Sequence, residues 1–228
     1  MPLLHNARMQ QPRVFLVDAS IYIFRAWHTY EPTITDRDGK PVNAVFGFSD
    51  FLYQLLRQAR PQHIACAFDA SQRDSFRKEI YPDYKANREP APEQLKYQFA
   101  LCRDFCRAVG ISQFSSERFE ADDIIGSLAQ RYRQQGHPIT VVSADKDLTQ
   151  LVLGDSDQWW DFARGTVLNA QGVKKHFGVL PGQIADMDDR DMAIGGHHHH
   201  TRSRHAEHVE CVHIPRAIDP RWAHHHPI

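Results

Sequence analysis

Three uninterrupted apolar runs, each delivering an aspartate at its end, constrain this chain more than any other feature. Residues 13–18 (RVFLVD) end in Asp18, residues 63–69 (HIACAFD) end in Asp69, and residues 138–144 (PITVVSA) run straight into Asp145-Lys146-Asp147. Short apolar runs that do not alternate with polar residues are strands covered on both faces, the pattern of parallel sheets. The intervals between them read as helices. Residues 43–60 carry Val45, Phe48, Phe51, Leu52, Leu55 and Leu56 at helical spacing, and Pro61 stops the run. Residues 94–109 carry Leu95, Phe99, Leu101, Phe105 and Val109, with Gly110 as the C-terminal cap. Residues 120–135 carry Ile124, Ile125, Leu128 and Tyr132 and end at Gly136. A short strand at 111–114 and an edge strand at WWDF (159–162) complete the pattern. Strands alternating with helices predict an α/β fold with a mostly parallel central sheet and helices on both faces. In such sheets functional groups gather at the carboxyl ends of the strands.

The formal net charge of the whole chain is -1, which does not suggest a strongly basic nucleic-acid binder. A cluster of acidic groups would cancel basic surface elsewhere. No signal segment or long apolar run is present, and Cys66, Cys102, Cys106 and Cys211 form no CxxC pair, so a soluble, reduced, cytoplasmic protein is expected. Cys102 and Cys106, spaced i, i+4, read as helix-face thiols rather than metal ligands.

The carboxylates have two readings. Taken singly, each is an ordinary cap: Asp18 for the helix after the first strand, Glu120 and Asp122 at a helix N-terminus, Asp145 for the helix that holds Leu148 and Leu151. Taken together, Asp18, Asp69, Glu120, Asp122, Asp123, Asp145 and Asp147 meet at one rim of the sheet. Like charges a few ångströms apart do not all stay ionised without a positive partner. No run of Lys or Arg is interleaved with them in the sequence, so a hard divalent cation is the expected partner, Mg²⁺ or Mn²⁺ for an all-oxygen ligand set, and not zinc. Two such ions suit phosphodiester hydrolysis.

Residues 73–96 break the helical and strand patterns. They mix Arg73, Arg77, Lys78, Lys85, Arg88 and Lys96 with Phe76, Tyr81 and Tyr84, a blend suited to a single nucleic-acid strand. Asp74, Glu79, Asp83, Glu89 and Glu93 nearly cancel that charge, so composition alone favours a solvated loop.

The chain resembles the bacterial 5′-3′ exonuclease and flap endonuclease family, found alone or as the N-terminal part of DNA polymerase I. The resemblance rests on FLVDASIYIFRAW (15–27), AFDA (67–70), YPDYKANR (81–88), FEADDIIG (119–126), VSADKDLTQLV (142–152) and HFGVLPGQIAD (176–186). It implies a PIN-like 5′-nuclease domain over residues 13–186 with a helical arch. It implies that Asp18, Asp69, Glu120 and Asp122 hold a first metal ion, that Asp145 and Asp147 hold or bridge toward a second, and that Asp123 supports the site. Arg25 and Lys85 would contact the scissile phosphate, with Tyr84, Arg88, Arg73 and Arg77 binding the strand. The implied partner is DNA with a free 5′ end or a 5′ flap, the implied cofactor Mg²⁺ (or Mn²⁺), and the implied state a monomer away from membranes.

The resemblance stops after Asp186. Where the family has a glycine–aspartate motif, a second aspartate and a helix–hairpin–helix, this chain reads MDDRDMAIGGHHHH. Ala193 and Gly196 stand in the aspartate positions, and Asp188, Asp189 and Asp191 lie close by. Residues 187–228, rich in histidine, read as a poorly ordered tail of the kind a shifted reading frame produces. An incomplete second metal site and impaired turnover are expected. Two alternatives follow: a catalytically inactive DNA-binding remnant of the same fold, and a PIN-like ribonuclease.

Overall fold

The computed structural model describes residues 11–70, 76–81, 83–85 and 89–184. The elements in order are β1 (Val14–Asp18), α1 (Ala19–Thr29), α2 (Asn43–Ala59), β2 (His63–Asp69), α3 (Phe76–Ile80), α4 (Glu93–Ala108), β3 (Ser112–Ser116), α5 (Ala121–Gln134), β4 (Ile139–Val142), β5 (Gln158–Asp161), β6 (Thr166–Leu168) and α6 (Ala170–Phe177). Short 3₁₀ turns occupy Lys146–Leu151 and Pro181–Gln183.

The strands form one sheet in the order β3-β2-β1-β4-β5-β6. Strands β1 to β5 run parallel, and β6 returns antiparallel along β5. The WWDF segment was expected at an edge, but β5 is an inner strand. It pairs with β4 through Val141↔Trp159 and with β6 through Trp160↔Val167. The covering strand has only three residues, too few to show a period in the sequence. The helix expected around Leu148 and Leu151 is a 3₁₀ turn.

Alternation along the strands sorts the core into two layers. Phe15 and Val17 of β1 and Cys66 and Phe68 of β2 face α1, α2 and α4, where they meet Ile23, Phe48, Leu52 and Leu55. Val14 and Leu16, with Ala65 and Ala67, face the opposite way onto Ile124, Ile125 and Leu128 of α5. Cys66, Cys102 and Cys106 are free thiols of the first layer, fully buried together. Contact between Cys66 and Cys106, with burial, pushes the Cys66 thiol far up, as expected of packing groups rather than reactive ones. Among the described residues no helix is long and apolar enough to cross a membrane.

Helices α1 and α2 approach closely at Gly47. A Cβ there would lie 2.5 Å from the Tyr30 ring and 2.7 Å from the Ala26 Cβ. The start of α2 lacks a cap of its own, since Val42 offers no side-chain acceptor. Gln98 of α4 fills that role from across the layer: its Oε1 accepts from the Ala44 N–H at 2.7 Å, and its Nε2 donates to Asn43 Oδ1 at 3.0 Å. Asn43 in turn donates to the carbonyls of Trp27 and Tyr30. This buried chain of bonds joins α4, α2 and the end of α1. Replacing Gln98 with Leu keeps the volume and strands the Ala44 N–H, so chemical denaturation of Gln98→Leu should show a loss of about 2 kcal/mol. Unchanged stability would mean that the bond network does not hold these helices together.

Candidate active site

The carboxyl rim of the sheet is where the chain repeatedly passes from strand to helix, and acidic residues sit at those junctions. Asp18 closes β1 and caps α1, its Oδ1 accepting from the Ile21 N–H at 3.3 Å. Asp69 closes β2, and its Oδ1 accepts from the Ala121 N–H at 2.8 Å, the first residue of α5. Asp123 reaches back to the Glu120 N–H at 3.0 Å. Asp145 opens the 3₁₀ turn and accepts from the Asp147 N–H at 2.9 Å. Every capping role expected of these residues singly, or one like it, is filled. The same geometry brings them to one rim, so capping and clustering are two aspects of one arrangement.

Two serines, unremarked in the sequence, stitch the rim together. Ser143, completely buried, donates its hydroxyl to Asp18 Oδ2 at 2.9 Å and accepts from the Asp145 N–H at 3.0 Å. Ser20 Oγ accepts from the Asp69 N–H at 2.8 Å. Their only sequence signal is adjacency, Ser20 two residues after Asp18 and Ser143 two before Asp145. Asp18 itself is buried. Burial, with the negative fields of Asp69 and Asp145, raises its carboxyl from 3.8 to about 7, against the pull of the Ser143 and Ile21 hydrogen bonds. This is mainly the cost of burying a carboxylate, to which the neighbouring acids add.

On the other side of the rim, cations from a segment distant in sequence lie among the acids. Arg77 of α3 donates to Asp123 at 2.6 and 3.0 Å and to Asp122 at 3.3 Å, and stands 3.5 Å from Glu120. Lys85 Nζ bonds both carboxylate oxygens of buried Glu120 at 2.9 Å, and the Tyr84 hydroxyl donates to the same group at 3.2 Å. These cations come from a segment 35 to 46 residues away in sequence, so no local run could reveal them. Burial disfavours the charge on both, but Asp122, Asp123 and Glu120 outweigh it and hold Arg77 above its ordinary range, as Glu120 does for Lys85. Lys85 adopts φ 55°, a left-handed backbone that costs an ordinary residue roughly 1–2 kcal/mol.

The remaining expected residues divide. Asp147 lies in the first turn after Asp145 and is half-buried. Arg25 lies on the exposed side of α1, and its field reaches the Tyr22 hydroxyl together with those of Asp161 and Asp18. Arg73 and Arg88 fall outside the described residues, as do Asp188, Asp189, Asp191, Ala193 and Gly196. Arg103 of α4 was not expected; it donates to the Asp69 carbonyl at 3.4 Å and lies over the Phe68 ring. With Arg77 and Lys85 in place, no three His, Cys, Asp or Glu side chains among the described residues are set around a common ion position. The donor chemistry nevertheless fits a hard divalent cation: the groups are all carboxylate oxygens, and Asp18, Asp69 and Asp145 have no Arg or Lys bonded to their carboxylates in the contacts above.

A folded-state carboxyl near 7 makes a definite pH prediction. Between about 4 and 7 the native chain holds a proton on Asp18 that the unfolded chain has lost, so stability falls as pH rises through that window and levels off above it. Denaturation in EDTA at pH 5 and pH 8 should therefore show Asp18→Asn gaining on the parent by about 2–3 kcal/mol from the lower to the higher pH. Parallel pH profiles for the two proteins would show that Asp18 is not held protonated by the cluster.

Comparison with known proteins places this geometry. The family model described as 5′-3′ exonuclease, N-terminal resolvase-like domain, matches residues 13–178. DNA polymerase I of Rhizobium leguminosarum is 40% identical over 190 residues, covering 80% of this chain and 18% of that protein. A 5′-3′ exonuclease of Aquifex aeolicus is 34% identical over 173 residues, covering 76% of this chain and 59% of that protein. The chain thus spans less than two thirds of these relatives' length. Among solved structures, the T5 D15 protein co-crystallised with metal ions superposes with a TM-score of 0.63 at 18% identity, over 81% of this chain and 67% of that one. The bacteriophage T5 D15 flap endonuclease in a pseudo-enzyme-product complex with DNA and metal ions gives 0.59 at 16% identity, over 75% and 63%. These structural likenesses carry the fold, that of the PIN-like 5′ nucleases. A sheet with acidic strand ends, matched over most of its length, places the chain in the 5′-3′ exonuclease N-terminal resolvase-like domain family.

Proposed function

We propose that this chain is a metal-dependent nuclease that hydrolyses DNA phosphodiester bonds at a free 5′ end or a 5′ flap, acting as 5′-3′ exonuclease and flap endonuclease. The observation that carries the reading is the gathering of Asp18, Asp69, Glu120, Asp122 and Asp145 at one rim with arch cations bonded among them. In this reading Asp18, Asp69, Glu120 and Asp122 hold one Mg²⁺ or Mn²⁺, Asp145 and Asp147 a second, and Asp123 supports them. Bound divalent ions make a water easier to deprotonate and offset the charge that grows on the phosphate.

The chain's own residues supply the rest. Ser143 and Ser20 fix the Asp18, Asp145 and Asp69 backbones and carboxylates, so the ligands need no reordering. Lys85 and Arg25 bring positive charge to the non-bridging phosphate oxygens, where it counts most in the transition state. Tyr84, Arg77, Arg73 and Arg88 grip the single strand by stacking and phosphate attraction. With Ala193 and Gly196 in the family's aspartate positions, the second ion is short of ligands and turnover is slower than in relatives that keep them. The working state is a cytoplasmic monomer.

A labelled 5′-flap duplex and a single-stranded RNA, each incubated with Mg²⁺ and with EDTA, test this directly. Metal-dependent release of short 5′ products from the flap is expected. Asp69→Asn should lower the rate at least about a hundredfold, and Lys85→Ala should lose a similar factor while folding normally. Binding without cleavage would instead make the chain an inactive DNA-binding remnant. Preferential cutting of RNA would make it a ribonuclease.

A further inference from the structure

Arg77 and Lys85 have two claims on them. Their bonds to Glu120, Asp122 and Asp123 neutralise three carboxylates that a divalent ion would also need. They also lie at the rim, where in the nuclease reading the phosphates of a bound strand would pass. One cation cannot serve both at full strength. Arg77 leans on the Phe76 ring at 5.1 Å and the Tyr84 ring at 5.8 Å, while Lys85 lies over Tyr84 at 5.0 Å. The segment that carries them is tied to the α5 side of the rim by the Phe76 N–H bond to the Arg118 carbonyl at 3.1 Å and by the Arg118–Glu79 pair at 3.2 Å. Arg77 and Lys85 are therefore held at the acids, and in that arrangement no three carboxylates among the described residues frame an ion.

We propose that Arg77 and Lys85 are exchangeable counter-ions: they occupy the acids when the protein is alone, and the phosphates of a bound strand draw them off, so that DNA and a divalent ion strengthen each other's binding. The proposal rests on the nuclease reading and adds to it an order of assembly. An ion meeting the isolated protein competes with two charge-assisted contacts. An ion meeting the DNA-bound protein finds Glu120, Asp122 and Asp123 released. Linkage requires the reciprocal effect: the ion, by taking the acids, frees Arg77 and Lys85 for phosphate and raises DNA affinity by the same factor. The arch cations would then keep metal from settling firmly at the carboxylates until a strand is present.

The test measures Mn²⁺ affinity of the full chain from the free-ion electron paramagnetic resonance signal, without and with a saturating single-stranded oligonucleotide. Arg77→Met keeps an unbranched apolar side chain and removes the guanidinium that lies over Phe76. Without DNA, Arg77→Met should bind Mn²⁺ about tenfold more tightly than the parent, a modest value for close charge pairs. The oligonucleotide should tighten the parent about tenfold and the variant less than twofold. Lys85→Met should shift in the same direction and serves if Arg77→Met does not fold. Arg107→Met, which removes a surface charge paired with Asp104 on α4, should leave Mn²⁺ affinity where it was and controls for net charge. Equal or weaker Mn²⁺ binding by both charge-removing variants would overturn the proposal, as would a parent that binds no Mn²⁺ with or without DNA. The outcome is separable from the nuclease reading, because Mn²⁺ affinity is read without any cleavage: a protein that shows the exchange and cuts nothing refutes only the activity.

Discussion

Negative charge confined to the ends of parallel strands is the constraint on which the rest of this structure depends. Asp18, Asp69 and Asp145 are held by backbone bonds that also start helices, so they are not at liberty to move apart. Their repulsion is met in two ways. Asp18 is raised to about 7 by burial and its neighbours. Glu120, Asp122 and Asp123 are paired with Arg77 and Lys85, brought in from the segment after β2, though burial still raises the Asp122 carboxyl to about 6 against the pull of Arg77. The rim thus relies on raised carboxyls and on built-in cations together, and a divalent ion would replace both.

The fold contributes placement rather than chemistry. A parallel strand that ends in Asp and turns at once into a helix spends one carboxylate oxygen on a helix N–H and leaves the other available. Asp69 does this across elements, capping α5 from the end of β2, which brings β2 and the acids of α5 together. Buried Ser143 does the same for β1 and the turn after β4. Each link is a few ångströms long, yet the residues it joins lie 52 and 125 positions apart in the chain.

Much of this was legible in the sequence. The non-alternating runs announced β1, β2 and β4 because strands covered on both faces need no polar side, and the aspartates that follow them marked the rim. The helices showed through their apolar stripes. What was hidden had physical reasons. The three-residue β6 is too short to carry a period, so WWDF looked like an edge when it is interior. Arg77 read as a strand-binding residue because its pairing with Asp123 depends on how the chain returns to the rim, which no spacing encodes. Ser20 and Ser143 were passed over because a serine beside an aspartate is common, and only burial makes these two into struts.

The most direct measurement is a crystal of the protein in complex with a single-stranded oligonucleotide, soaked in Mn²⁺ and recorded for its anomalous signal. The account predicts an ion among Asp18, Asp69, Glu120 and Asp122, with Arg77 and Lys85 withdrawn from the carboxylates they now bond. An ion bound elsewhere while those contacts stand intact, or no anomalous peak at the rim at all, would contradict it.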